Sequence, residues 1–221
     1  MSRLATPSVT PRFVPFKRPF SNFDFVEKEF SGSPPIRRLF SQARSRNATT
    51  LVFEEVLPDG AVADECAELL ALFPDYAMGG LRRISFWKAE FHTEADLAHL
   101  KADDCIGWAI LKQDCLPSKQ LQRWHVFESV IRKYAHEHNY VPCSREIRFR
   151  VGACDFSLPG VLYCQQNALN KACAQVALRS ICSAYLNDPN LTFRRINELA
   201  FAPHSPVNPG DGLDLDPRLS C

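Results

Sequence analysis

Residues 163–179, YCQQNALNKACAQVALR, decide the fold. They lead from a predicted strand into a predicted helix, and the amide triplet Gln165-Gln166-Asn167 lies between the two. Cys173 falls in the first turn of the helix, where unpaired backbone N–H groups carry about half a positive charge and favour thiolate over thiol. A thiol at a helix start, with amide donors just upstream, supplies the first parts of an acyl-transfer site.

The helix is predicted over residues 171–186, with Asn170 as its N-cap. Small and apolar side chains recur at helical spacing along it and predict one continuous inward face. We therefore expect a central, buried helix. The residues of the predicted face are Cys173, Val176, Ala177, Ser180, Ile181, Ala184 and Tyr185.

Alternating apolar patterns upstream of this helix predict an α+β fold. A capping box of Thr93 and Asp96 marks the start of one short helix. Residues 202–217, rich in proline and glycine, are predicted to form a loop. The predicted strands cover residues 49–58, 82–91, 105–112, 123–132, 147–151 and 156–164, and the other helices cover residues 62–73, 93–100 and 193–200.

Residues 1–48 combine six prolines with seven phenylalanines, and hold nine Lys and Arg against three Asp and Glu. The prolines oppose a long helix, and the aromatic content is unlike that of a disordered tail. We expect an extended basic arm whose phenylalanines dock on a protein surface, of this chain or of a partner. The chain then divides into the arm (1–48), a mixed α/β module (49–150) and a final module (151–221).

Nine cysteines at irregular spacing, without a secretory segment, predict free thiols and a cytoplasmic, reducing compartment. No apolar run approaches the roughly 18 residues of a membrane span. The sequence contains neither a phosphate-binding glycine loop nor a dinucleotide fingerprint, and we expect no cofactor. His136, His138 and Cys143 lack a fourth zinc ligand, so no metal site is predicted.

The segment from residue 160 to 180 resembles the papain-like cysteine peptidase superfamily. The resemblance is to the branch that includes bacterial peptidases cutting double-glycine leader peptides. The segment is also similar to a group of uncharacterised prokaryotic proteins in which a strand, a Gln-Gln-Asp-like triplet and a Cys-Ala helix follow one another. Here Gln165-Gln166-Asn167 and Cys173-Ala174 stand at those places, and the strand at residues 107–110 also suits that group.

The resemblance implies that residues 151–221 are the front half of a papain-like domain, with Cys173 as nucleophile and a glutamine that helps to hold the oxyanion. The family places that glutamine six residues before the cysteine, where this chain has Asn167; we assign the role to Gln166, seven residues before. The family's catalytic histidine follows the central helix, and His204 is the one histidine downstream of Cys173.

Three functions follow as hypotheses. The first is a cysteine peptidase or related acyltransferase acting on peptide or isopeptide bonds, with Cys173, Gln166 and His204 at its site, or inactive if its base is missing. The second is a non-catalytic papain-like module that binds a peptide or protein, with the Phe-rich arm attaching it to a partner. The third is a basic-armed nucleic-acid accessory protein, which the lack of a nucleic-acid-binding fold disfavours.

Overall fold

A seven-stranded, curled antiparallel sheet organises the fold. The computed structural model describes residues 10–133, 145–170, 172–183, 185 and 191–201. The strands are β1 (Arg12–Pro15), β2 (Thr50–Glu55), β3 (Ala77–Trp87), β4 (Cys105–Leu116), β5 (Leu121–Arg132), β6 (Arg145–Val151) and β7 (Cys154–Cys164). Their order across the sheet is β1-β2-β3-β4-β5-β7-β6, with every neighbouring pair antiparallel.

Within the described residues, six α-helices accompany the sheet. They are α1 (Asn22–Phe30), α2 (Pro34–Ser45), α3 (Gly60–Leu72), α4 (Glu94–Leu97), α5 (Cys173–Cys182) and α6 (Phe193–Leu199). The predicted α+β class is confirmed. Each strand and helix predicted beyond residue 48 has a counterpart, although α5 is shorter than expected. β3 begins five residues before the predicted strand, at Ala77, and includes Gly79 and Gly80.

The two faces of the sheet carry separate hydrophobic cores. Successive residues of a strand point to opposite faces, so Leu51 packs in one core and Val52 in the other. One face is covered by α1 and α2, and the other receives side chains from α3 and α5. The central strand β4 is buried over nearly its whole length because both of its faces are covered.

Residues 10–48 are folded, which corrects the expectation of an extended arm. Prolines 34 and 35 occupy the first turn of α2, where the missing N–H costs nothing. Phe16, Phe30 and Phe40 are buried in the core on the α1–α2 side. The surface that receives these phenylalanines therefore belongs to the same chain, and Phe23 is the exposed member of the set.

Basic side chains of this segment bind within the chain. Arg37 pairs with Glu27 at 2.7 Å. Arg44 donates to the carbonyl oxygen of Phe20 at 2.9 Å, and Arg46 donates to that of Arg132 at 2.8 Å. These contacts occupy guanidinium groups that the nucleic-acid hypothesis would need for phosphates.

Strands from all three predicted modules hydrogen-bond in one sheet. The predicted boundary after residue 150 falls inside β6, one residue before its end, and β6 pairs with β7. The boundary at residue 48 separates β1 from its partner β2. A buried contact also crosses the predicted boundary at residue 150, because the Gly152 N–H donates to Glu54 Oε1 at 2.8 Å. Among the helices in the described ranges, none is long and apolar enough to cross a membrane.

Candidate active site

Cys173 is the first residue of α5 and is exposed to solvent. Its backbone N–H is one of the four at the helix start that have no acceptor within the helix. Its thiol donates a hydrogen bond to Oε1 of Gln166, with 2.8 Å between sulfur and oxygen. The chain thus places a reactive group, a positive helix end and a side-chain amide at one accessible point.

The three amides of the triplet have different partners. Gln165 continues the pairing with β5, because its N–H donates to the carbonyl oxygen of Val126 at 3.2 Å and its Oε1 accepts from the Val126 N–H at 3.1 Å. Asn167 is buried and turned away from the thiol toward α3. Gln166 is the amide that reaches Cys173, although Asn167 occupies the family's position six residues before the cysteine.

The loop between β7 and α5 is closed by Asn167, not by a cap at Asn170. The N-cap is Ala172, which has no side chain able to accept a hydrogen bond. Asn167 Oδ1 accepts from the N–H groups of Leu169 at 2.8 Å and Asn170 at 3.3 Å. Because one side chain satisfies two loop amides, the chain turns back tightly enough to bring Cys173 beside Gln166.

The inward face of α5 is polar, which corrects the predicted apolar face. Gln175 is fully buried and donates to Asn197 Oδ1 at 3.2 Å. Arg179 is buried and pairs with Glu128 at 2.6 Å. Burial alone lowers the pKa of the Arg179 guanidinium, but Glu128 and other buried acidic neighbours outweigh this effect and raise the pKa. Ile181 and Tyr185 are 58% and 60% exposed. Of the predicted face, Val176 packs against the core.

α5 presents its polar face to the protein interior because the polar residues on that face have buried partners. A buried arginine beside a buried glutamate satisfies both charges. The apolar residues Ala177 and Ile181 lie instead on the same side of α5 as Cys173, at one- and two-turn spacing, and are exposed. The helix is therefore packed on β7 and α6 along one side and open along the side that carries the thiol.

A buried group of polar side chains, which we call the charge cluster, lies under the loop. Lys112 Nζ is 2.6 Å from Glu65 Oε2 and 3.0 Å from Asp114 Oδ1. Burial alone lowers the pKa of Lys112, but these two carboxylates outweigh it and raise the pKa well above the usual range. Tyr76 donates to Asp114 Oδ1 at 2.9 Å, and burial raises its phenol pKa. The charge cluster consists of Glu65, Tyr76, Lys112, Asp114 and His125.

His125 is the neutral member of the charge cluster. It is fully buried, and burial lowers its pKa below the ordinary 6.5, although the nearby Asp114 carboxylate raises it. Its Nδ1 lies 3.3 Å from Asp114 Oδ2. Within the described ranges, neither ring nitrogen makes a hydrogen bond. A histidine in this position is too enclosed to serve the exposed thiol.

His204, the expected base, lies outside the described residues. So do His136, His138 and Cys143, at which no metal site was predicted. No histidine of the described segments is hydrogen-bonded to Cys173. Across the same segments, no group of three or more His, Cys, Asp and Glu side chains is arranged to hold a metal ion.

Glu65, Lys112 and Asn167 were not predicted as part of the site. The signal for Lys112 was present in the sequence, because a charged residue stands in the otherwise apolar run of β4, and such a residue requires a buried partner. The identity of that partner could not be predicted from the sequence, since Glu65 is 47 residues away from Lys112.

Comparisons with models of protein families, with curated proteins and with solved structures found no match for this chain.

Proposed function

We propose that this protein is a cysteine peptidase or related acyltransferase of papain-like type, acting on peptide or isopeptide bonds. One observation carries the proposal: the Cys173 thiol lies at the start of α5, exposed, with the Gln166 amide 2.8 Å away. A group this close to the sulfur is also close to the oxygen of any acyl group that the sulfur attacks. Turned so that its NH₂ group faces that oxygen, the Gln166 amide donates to it and stabilises the negative charge that develops there.

The proposed reaction has two stages. His204 accepts the thiol proton while the sulfur of Cys173 bonds to the carbonyl carbon, and the carbonyl electron pair moves to oxygen. The Gln166 side chain turns its NH₂ group toward this oxygen, and the Cys173 backbone N–H donates to it as well. The carbonyl then re-forms, the carbon–nitrogen bond breaks, and the leaving amine takes the proton from His204. Water or a second amine next attacks the thioester and releases the thiol.

A non-catalytic peptide-binding module is the second candidate. The exposed apolar side chains of Ala177 and Ile181, on the same side of α5 as Cys173, favour it. A peptide lying along this side would contact the thiol without reacting. This candidate predicts a Cys173 no more reactive than the other accessible cysteines.

Two reagents applied to the full chain test the proposal. Iodoacetamide alkylates a thiolate without forming an oxyanion, whereas p-nitrophenyl acetate acylates it through one. At pH 6–7 we expect both to modify Cys173 selectively among the nine cysteines, as mapped by peptide mass spectrometry. Cys173→Ser should abolish the selective modification. Slow, uniform labelling of all accessible cysteines would refute the enzyme and favour the binding module.

The variant Gln166→Ala separates the two reagents. Alkylation forms no oxyanion, so the loss of this amide should not slow it. Acylation should fall by about 100-fold, because an oxyanion donor is missing. Gln122→Ala, at an exposed glutamine of β5, is the matched control and should change neither rate. Equal changes in both rates would remove Gln166 from the oxyanion role.

A further inference from the structure

Asn167 holds the peptide that carries Gln166. It is almost fully buried, and its side-chain amide is bonded in both directions. Nδ2 donates to Glu65 Oε1 at 2.6 Å, while Oδ1 accepts from the N–H groups of the loop. The Asn167 carbonyl oxygen accepts from the Arg123 guanidinium. The residue next to Gln166 is therefore fixed to α3 through Glu65 and to β5 through Arg123.

Glu65 is a rigid anchor because its other oxygen is also engaged. Oε2 accepts from Lys112 Nζ at 2.6 Å, and Lys112 in turn pairs with Asp114 at 3.0 Å. All three charged groups are buried. Any rotation of the Glu65 side chain would leave a buried charge without its partner, which is costly. The position of Asn167 is thus set from inside the sheet.

The backbone at Ala168 shows that the loop is constrained. Ala168 has φ +60°, in the left-handed region that a residue with a Cβ atom rarely adopts. This conformation is strained and persists only where neighbouring contacts enforce it. The contacts of Asn167, directly before it, supply that constraint. The turn that results returns the chain from residue 166 to the thiol of residue 173.

We infer that Asn167 is a positioning residue, whose bond to the Glu65–Lys112 pair fixes the Gln166 amide at the Cys173 thiol. The inference rests on the proposed function, where the location of Gln166 decides how well it meets the oxyanion. Asn167 itself does not touch the reacting atoms. Its effect on the reaction passes through the backbone to the next residue.

Asn167→Asp tests this role with almost no change in shape. The substitution keeps the oxygen that accepts from the loop amides but turns a second oxygen toward Glu65 Oε1, where two acceptors repel. We expect the ratio of p-nitrophenyl acetate acylation to iodoacetamide alkylation at Cys173 to fall by at least about tenfold, against about 100-fold for Gln166→Ala. The pH profile of alkylation should shift in the same direction as in Gln166→Ala.

The double variant Asn167→Asp with Glu65→Gln provides the rescue. It exchanges the acid and the amide across the same contact, so the hydrogen bond is restored with its donor reversed. The number of negative charges near Lys112 is unchanged. We expect the reactivity ratio and the pH profile to return toward those of the unaltered protein. A purely structural defect in the single variant would lower the melting temperature without changing the pH profile.

The outcomes distinguish this inference from the proposed function. If Gln166→Ala changes Cys173 reactivity and Asn167→Asp does not, the positioning role is wrong and the proposed function stands. If the unaltered protein shows no selective acylation, the proposed function fails, and the alkylation pH profile still tests the positioning. If neither variant changes that profile, the positioning role is wrong. Should Asn167→Asp not fold, Asn167→Ser, which adds no charge, should produce the same loss.

Discussion

At the scale of single residues, the charge cluster places charged side chains inside the sheet. Lys112 and Asp114 are fully buried in the central strand, where unpaired charges would be strongly destabilising. Each finds an opposite charge within 3.0 Å. His125 is the exception: it is buried beside Asp114 but stays neutral, because burial lowers its pKa.

The pH dependence of stability should reveal His125. Below pH 6.5, the ordinary value for histidine, the unfolded chain binds a proton that the folded protein excludes. The free energy of unfolding should therefore fall as pH falls through this range, by up to about 1.4 kcal/mol per pH unit from this group. In urea unfolding between pH 8 and pH 5, the free energy of unfolding of His125→Gln should change less with pH than that of the unaltered protein.

The exposed His99 provides the control, since His99→Gln should leave the slope unchanged. An unaltered slope in His125→Gln would contradict the assignment of His125 as a buried neutral group.

At the scale of elements, α5 shows where sequence patterns succeed and fail. Its existence and the place of Cys173 at its start followed from helical spacing and from the strand before it. Its inward face did not, because hydrophobicity ranks Ile181 above Arg179 as a core residue. The deciding interaction is the Arg179–Glu128 pair, and its partner is 51 residues away on β5. A local pattern contains no information about a partner at that distance.

Two substitutions on α5 test which face is buried. Arg179→Met removes the charge that neutralises buried Glu128, and we expect a loss of about 3–5 kcal/mol in the free energy of unfolding. Ile181→Lys, two residues further along on the exposed side, should change it by no more than about 0.5 kcal/mol. Chemical denaturation of both variants supplies the comparison. If Ile181→Lys lowered the free energy of unfolding more than Arg179→Met, the inward face of α5 would be apolar, as the sequence predicts.

At the scale of the whole molecule, the strands predicted beyond residue 48 were correct, but their pairing in one sheet with a strand from the segment before it was not predicted. Alternation of polar and apolar residues predicted those strands because this pattern is local. The assignment of residues 1–48 to an arm failed for a different reason. Its phenylalanines indicated docking but not the receiving surface, which is formed by β2 to β5 of the same chain. The positioning contacts of the site likewise join α3, β4 and the loop after β7.

The amide triplet shows the same limit within the site. Its sequence identified three candidate donors that differ by only one or two positions, and the assignment to Gln166 had no local pattern to support it over its neighbours. The choice depends on what each side chain meets: the edge of β5 for Gln165, α3 for Asn167 and the thiol for Gln166. Only the folded chain separates these neighbours.

The most direct test of the oxyanion role is a crystal structure of the protein after reaction with a peptide aldehyde. The aldehyde carbon should bond to the sulfur of Cys173, which leaves a tetrahedral centre with an oxygen in place of the oxyanion. We expect that oxygen within about 3 Å of Gln166 Nε2 and of the Cys173 backbone nitrogen. An adduct whose oxygen is hydrogen-bonded to neither group would contradict the proposed site. An aldehyde that leaves Cys173 unmodified would contradict it as well.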